Sequence, residues 1–285
     1  MQPISNLNLT EDLLSQLQQI QNHVNGIDSF NAKTVEAHNQ WDNKPHTLFT
    51  TIKNRLKQMC VSIELCNYCE KNEASDIEHI YPISRYPEKA FTWENYLLAC
   101  TTCNRVIKLD KWYEIKNSQL VKLPRGCEPD RNYIPAFINP RIDNPNEYMI
   151  LELDAFTFIP ICQVNSVGYL KYSGVIEVLQ LNDRTPLVAS RKAKAQEMFA
   201  AMYRLCNVIK STDKSEVRAA ICPHEDYINV DVLTLQEIKA TITLNTKRLI
   251  TESEHPSVWY AIKKLHQSYG NWKNIFQVIP DALDW

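Results

Sequence analysis

The chain has 285 residues, of which 44% are apolar and 22% are charged, a composition that excludes disordered, coiled-coil and collagen-like proteins. Its 31 basic and 33 acidic side chains leave a net charge of −2, so any nucleic-acid-binding surface must be local. No apolar run reaches the roughly 18 residues that cross a bilayer, and the first residues do not resemble a secretory signal, so we expect a cytoplasmic protein without a membrane segment.

The residues 1–60 are predicted to form an N-terminal helical segment. A first helix is expected over residues 10–25, because Thr10 suits an N-cap and acidic residues follow it in the first turn. A second helix is expected over residues 45–60, where Pro45 suits the first turn and apolar and basic residues lie on opposite faces.

The residues 116–185 are predicted to form a loop followed by a small sheet. The stretch 116–146 contains five prolines with several asparagines and aspartates, which is typical of an ordered loop. The stretches MILELDAFTFIPI and GYLKYSGVIEVLQL are rich in β-branched and aromatic residues, with Gly174 as one of the breaks. They predict three or four strands.

The residues 186–285 are predicted to form a helical C-terminal region. After Pro186, apolar side chains recur at helical spacing, and the same pattern is present over residues 233–252 and 256–268. With the strands before it, this region predicts an α+β protein.

Four of the nine cysteines form two CxxC pairs, Cys66 with Cys69 and Cys100 with Cys103. Two intervening residues let one turn aim both thiolates at one ion, so the two pairs predict a structural Zn²⁺ site without an open coordination position. The alternatives are four buried free cysteines, or a redox dithiol beside a coincidental pair. The other cysteines show no such pairing and are predicted to be small buried apolar residues: Cys60, Cys127, Cys162, Cys206 and Cys222.

The segment between the pairs, SDIEHIYPISRYPEKAFTWENYLLAC, and the following TTCNRVIK resemble the HNH nuclease motif. This resemblance implies a ββα-metal fold with strands at about 76–80 and 96–100 and a helix from residue 101. The predicted fold is therefore a zinc-stapled ββα-metal HNH unit over residues 61–115, with flanking helices, a small β-rich segment and a helical C-terminal part. The motif residues are Glu78, His79, Asn95, Asn104 and Lys108.

The resemblance also implies a role for each motif residue. His79 corresponds to the general base that activates water, and Glu78 and Asn104 correspond to ligands of a catalytic Mg²⁺ or Mn²⁺ ion. Asn95 corresponds to the asparagine that braces the loop and orients the base, and Lys108 lies where a cation approaches the phosphate. Asn104 stands where many members carry histidine and Glu78 where many carry aspartate, but both offer oxygen ligands.

A local phosphate-binding surface is predicted between Arg105 and Arg125, because this segment contains six basic side chains and only two acidic ones. The candidate nucleic-acid contacts are Arg85, Arg105 and Lys111.

The order of segments resembles the PtuB-like HNH proteins of Septu and retron-associated anti-phage systems. The segments IEHIYPISRYP, WENYLLACTTCNRVIK, INPRIDNP and GVIEVLQLNDR carry this resemblance over roughly residues 60–200. It implies an effector endonuclease with a PtuA-like ATPase partner. The motif specifies phosphodiester chemistry better than it specifies a substrate, and DNA is favoured. The alternatives are an RNA-cleaving HNH nuclease and a non-catalytic zinc-stapled adaptor that binds a partner protein.

Overall fold

The computed structural model describes residues 1–61, 63–221 and 229–285. In this part of the chain no helix is both long enough and apolar enough to cross a membrane. The predicted division into four segments stays a prediction. The described residues form two compact units, the first made of Met1–Ile150 and Thr157–Leu187 and the second of Leu151–Phe156 and Val188–Trp285.

The first unit begins with three helices, α1 (Glu11–Asn25), α2 (Phe30–Asp42) and α3 (His46–Gln58). Helices α1 and α3 confirm the two predicted helices, and the Thr10 hydroxyl accepts a hydrogen bond from the amide of Leu13 at the start of α1. Helix α2 was not predicted. It buries no apolar residue except Ala37, so its sequence lacks a clear apolar stripe.

The centre of the first unit is a β-hairpin followed by one short helix. Strands β1 (Ala74–His79) and β2 (Tyr96–Cys100) pair antiparallel, with His79 opposite Tyr96. The two predicted strands of the ββα unit are therefore confirmed. The predicted helix is also present, as a π-helix over Thr102–Lys108 whose wider winding differs from the expected α-helix.

The prediction of a loop from residue 116 onward is partly wrong, because its first residues belong to a β-hairpin. Strand β3 (Tyr113–Lys116) pairs with β4 (Gln119–Lys122), and the short strand β5 (Ile134–Pro135) adds to the other edge of β3. Asn117 and Ser118 form the turn and both have left-handed backbone conformations. Asn-Gly is the strongest signal for such a turn, and its absence here left the hairpin unrecognised.

The prediction of strands over GYLKYSGVIEVLQL is wrong, because this stretch forms helix α4 (Val167–Leu179). Only two short strands, β6 (Met149–Leu151) and β7 (Phe158–Pro160), pair in this region. The Ser166 hydroxyl caps α4 by accepting from the amide of Tyr169. Gly174 is not a strand break: a side chain at this position would overlap the carbonyl oxygen of Ala136, on which α4 packs.

After Leu187, the described residues of the second unit form helices joined by short loops, and the helices predicted after Pro186, over 233–252 and over 256–268 are confirmed. Together with the small sheets of the first unit, these helices agree with the predicted α+β class. The helices are α5 (Thr185–Lys210, whose first turn belongs to the first unit), α6 (Lys214–Ala220), α7 (Leu235–Thr251), α8 (Pro256–Leu265) and α9 (Gly270–Val278).

Candidate active site and metal centre

The four paired cysteines lie together at the base of the β1–β2 hairpin. The first pair is tied to β2 by the backbone amide and the side-chain amide of Asn67, both of which donate to Leu98. The second pair spans the end of β2 and the start of the π-helix, and the amide of Cys103 donates to the sulfur of Cys100. The hairpin therefore brings together two cysteine turns that the sequence separates by thirty residues.

The cysteine cluster fits a tetrahedral zinc ion. All four sulfur atoms lie within 4.8 Å of one another, and all four residues are buried. A tetrahedron of Zn–S bonds of about 2.3 Å places its sulfurs about 3.8 Å apart. The sulfurs of Cys69 and Cys100 are 3.8 Å apart. Burial raises the pKa of the Cys66 thiol, and a bound cation would favour its thiolate form.

A cation from outside the motif contacts this cluster. The Nη1 atom of Arg184, which precedes α5, lies 3.2 Å from the sulfur of Cys103. A zinc ion with four thiolates carries two negative charges, and a guanidinium hydrogen bond partly offsets them. The sequence analysis missed Arg184, because nothing in the local pattern links a residue 81 positions away to the cysteines.

Replacing Arg184 with alanine is expected to weaken zinc binding by about 10-fold to 100-fold, the usual effect of losing such a supporting contact. Competition with a chromogenic chelator measures the affinity. The Arg184→Lys variant keeps the positive charge but lacks the planar guanidinium, so its zinc affinity should lie between those of wild type and Arg184→Ala. The control is Arg125→Ala, which removes an arginine whose side chain is 88% exposed. Equal zinc affinity of wild type and Arg184→Ala contradicts this role.

The remaining cysteines differ in exposure. Cys206 is buried, as predicted, whereas Cys60 and Cys162 are half-buried and Cys127 is exposed, so the prediction is wrong for Cys127. Cys222 lies outside the described residues.

His79 is held in one orientation by a backbone carbonyl. Its Nε2 atom donates to the carbonyl oxygen of Ala90 at 2.8 Å, which leaves Nδ1 as the atom without a proton in the neutral ring. The ring packs edge-on against Trp41 and Tyr96, with centroid distances of 4.3 and 5.2 Å. Burial lowers the pKa of His79 to about 3. The imidazole is therefore neutral near pH 7, with Nδ1 as the nitrogen that has a free lone pair.

Asn95 braces the loop that carries this carbonyl. Its amide oxygen accepts from the backbone of Tyr81 at 2.7 Å, and its amide nitrogen donates to the carbonyl oxygens of Tyr81 and Lys89 at 3.0 and 2.9 Å. From α1, the buried Gln21 accepts from the amide of Phe91 at 2.7 Å. These bonds flank Ala90 in the sequence and hold the partner of His79 in place.

Glu78 and Lys108 form a buried ion pair. The ammonium of Lys108 lies 2.5 Å from Glu78 Oε1, and it also donates to the carbonyl oxygen of His79 at 2.7 Å. Burial raises the pKa of Glu78, although Lys108 opposes the shift. The predicted approach of Lys108 to a phosphate is therefore corrected: its side chain is 1% exposed and its charge neutralises Glu78.

Replacing Lys108 with methionine is expected to lower the free energy of unfolding by about 3–5 kcal/mol, because the Glu78 carboxylate is left buried without its partner. Denaturant unfolding measures the loss. Adding Glu78→Gln removes the isolated charge and should restore part of the stability. The control variant, Lys111→Met, changes a half-buried lysine and should stay within about 0.5 kcal/mol of wild type. A Lys108→Met cost below about 1 kcal/mol contradicts the assignment.

A cavity of about 590 Å³ is lined by four of the five motif residues, and Asn95 is not among its lining residues. Its lining includes Glu78, His79, Asn104 and Lys108. Glu78 and Asn104 offer the oxygen atoms that Mg²⁺ or Mn²⁺ prefers, so the donor chemistry on this wall fits a hard divalent ion. The side-chain nitrogen of Asn104 donates to Asp76 at 3.3 Å.

Helix α2, which the sequence did not reveal, supplies much of the remaining lining of this cleft. His38 is the titratable residue among these side chains, and burial lowers its pKa. Trp41 carries the ring that packs on His79. The lining residues from α2 are Phe30, Asn31, Thr34, Val35, His38 and Trp41.

The three predicted nucleic-acid contacts have different surroundings. Arg85 is 1% exposed and donates to the carbonyl oxygens of Pro124 and Cys127 at 2.5 and 2.9 Å, so its predicted contact with nucleic acid is corrected to a structural role. Arg105 is exposed and pairs with Asp76. Lys111 is half-buried and does not line the described cleft.

The fold and site define a class: a ββα unit with a four-cysteine metal site and a buried histidine on its first strand. A family model described as HNH endonuclease matches residues 66–107. The matched segment runs from Cys66 into the π-helix and contains Glu78, His79, Asn95 and Asn104. Comparisons with curated proteins and with solved structures find no match. The match supports a nuclease domain at the level of the family, within 42 of the 285 residues.

Proposed function

We propose that this protein is a metal-dependent HNH endonuclease that hydrolyses phosphodiester bonds of nucleic acid, with DNA as the favoured substrate. The observation that carries the proposal is the placement of His79 and Glu78 in one cleft, within a segment that matches the HNH endonuclease family. The matched residues are those expected to hold a base and a hard metal ion.

Each residue contributes a separate part of the reaction. His79, whose Nε2 proton is engaged by Ala90, accepts a proton from the attacking water at Nδ1. Asn95 holds the loop so that the imidazole keeps this orientation. Glu78 and Asn104 would hold a divalent ion, which would stabilise the negative charge that develops on the phosphate oxygens. Lys108 opposes the rise in the pKa of Glu78 that burial causes, and so favours its ionised form.

The proposal is tested by incubating the purified protein with plasmid DNA and with total RNA, in Mg²⁺, in Mn²⁺ and in EDTA. We expect metal-dependent cleavage of DNA. Cleavage of RNA alone would favour the RNA-cleaving alternative. The absence of cleavage on both substrates, together with stable capture of a protein partner, would favour the zinc-stapled adaptor.

The proposed biological role is that of an anti-phage effector that works with a PtuA-like ATPase. The support for it is the resemblance in segment order that extends beyond the matched domain. Co-expression with such an ATPase, followed by co-purification and a cleavage assay with and without ATP, tests the partner. Unchanged cleavage and no stable complex would contradict it.

A further inference from the structure

A second cavity adjoins the candidate active site. It has a volume of about 680 Å³ and shares Trp41 and Asn104 with the cleft that contains His79. Helix α3 contributes four lining residues and β1 contributes three, and the end of α2 and the π-helix contribute two each. All of these elements belong to the first unit.

The side chains around this second cavity include three cations and one imidazole against two carboxylates. Their surroundings differ. The ammonium of Lys44 donates to the carbonyl oxygen of Trp41 at 2.9 Å, and Arg105 pairs with one of the acids. Within the described parts of the chain, Lys53 forms no ion pair. The charged lining residues are Lys44, His46, Lys53 and Arg105, with Asp42 and Asp76.

We propose that this second cavity binds the backbone phosphate of the nucleotide next to the cleaved bond, with Lys53 as its principal cation. The proposal rests on the proposed nuclease function. Because the two cavities share Trp41 and Asn104, a strand whose phosphodiester reaches His79 enters the second cavity when it continues past these two residues. A lysine without a carboxylate partner is free to replace the counterions of that phosphate.

The cavity shares Arg105 with the surface that the sequence indicated, but its proposed principal cation, Lys53, lies outside that surface. Arg85 is committed to carbonyl oxygens, and Lys108 is committed to Glu78. Lys53 lies in α3, thirteen residues before the matched segment begins. The binding surface therefore combines the motif with the helices that precede it.

The test compares Lys53→Gln with the matched control Lys33→Gln, a lysine of α2 that lines neither cavity. Both changes are made in the His79→Ala background, so that the probe is bound but not cut. The probe is a fluorescein-labelled oligonucleotide, used as single-stranded DNA, duplex DNA and RNA, and anisotropy is followed over a range of salt concentrations. Thermal unfolding and zinc content confirm that each variant is folded.

Loss of one phosphate contact is expected to reduce the slope of log K against log salt by about 0.7 to 0.9, with weaker binding at low salt. Lys33→Gln should retain the slope of its parent. In the protein that retains His79, Lys53→Gln should raise KM several-fold and leave kcat near that of wild type. Equal slopes for Lys53→Gln and its parent overturn this inference while cleavage by wild type stands. If the wild type neither cleaves nor binds nucleic acid, both the inference and the proposed function are overturned.

Discussion

The His79→Ala variant is expected to lose about 10²-fold to 10⁴-fold in cleavage rate, the usual contribution of a positioned general base. The loss should not arise from unfolding. The carbonyl oxygen of Ala90 also accepts from the hydroxyl of Tyr96 at 2.7 Å, so it keeps a partner when the imidazole is removed. Single-turnover cleavage of a labelled DNA substrate measures the rate, and zinc content and thermal unfolding measure the fold.

A control and a rescue separate a chemical role from a structural one. His23→Ala removes an imidazole that is 61% exposed on α1 and should cleave at the wild-type rate. Free imidazole added to His79→Ala should restore part of the activity, which a defect in packing would not allow. Retention of more than about a tenth of the wild-type rate in His79→Ala would show that another group acts as the base.

The Cys66→Ser variant is expected to lose its zinc and to lower the stability of the first unit by several kcal/mol. Structural zinc contributes an apparent 10–16 kcal/mol or so in zinc-finger peptides, where no other core exists. Here the unit also has a buried apolar core, which includes Ile52 and Leu98, so partial structure should remain. Elemental analysis gives the zinc content, and limited proteolysis and thermal unfolding measure the loss of stability.

The cysteines outside the cluster provide the control for this experiment. Cys127→Ser replaces an exposed thiol and should keep one zinc ion per chain with unchanged stability. His79→Ala should also keep its zinc, which separates the metal centre from the reaction. A wild-type protein that is folded without zinc, and whose stability does not respond to chelation, would contradict the structural role of the cluster.

The sequence predicted what depends on local spacing. The two CxxC pairs specify a shared ion because a turn of fixed geometry separates their thiols, and the structure brings all four together. The strands at the start and end of the motif segment were implied by the resemblance to the HNH motif, and the structure confirms them.

The sequence did not predict what depends on tertiary contacts. Helix α4 is rich in β-branched and aromatic residues, and packing on Ala136 overrides that strand preference. Helix α2 buries no apolar residue except Ala37, so its role in lining the cleft left no periodic signal. The burial of Arg85 and Lys108 was not predicted, because a sequence pattern specifies residue types but not which of them become buried.

The contact between Arg184 and Cys103 has a consequence for the newly made chain. All four thiols leave the ribosome before Arg184, which follows Cys103 by 81 residues. At a synthesis rate of about 5–20 residues per second, this interval is about 4–16 s. In the nascent protein the four thiols are therefore available to a metal ion before the guanidinium that contacts Cys103. The complete first unit is available only when translation has passed residue 187.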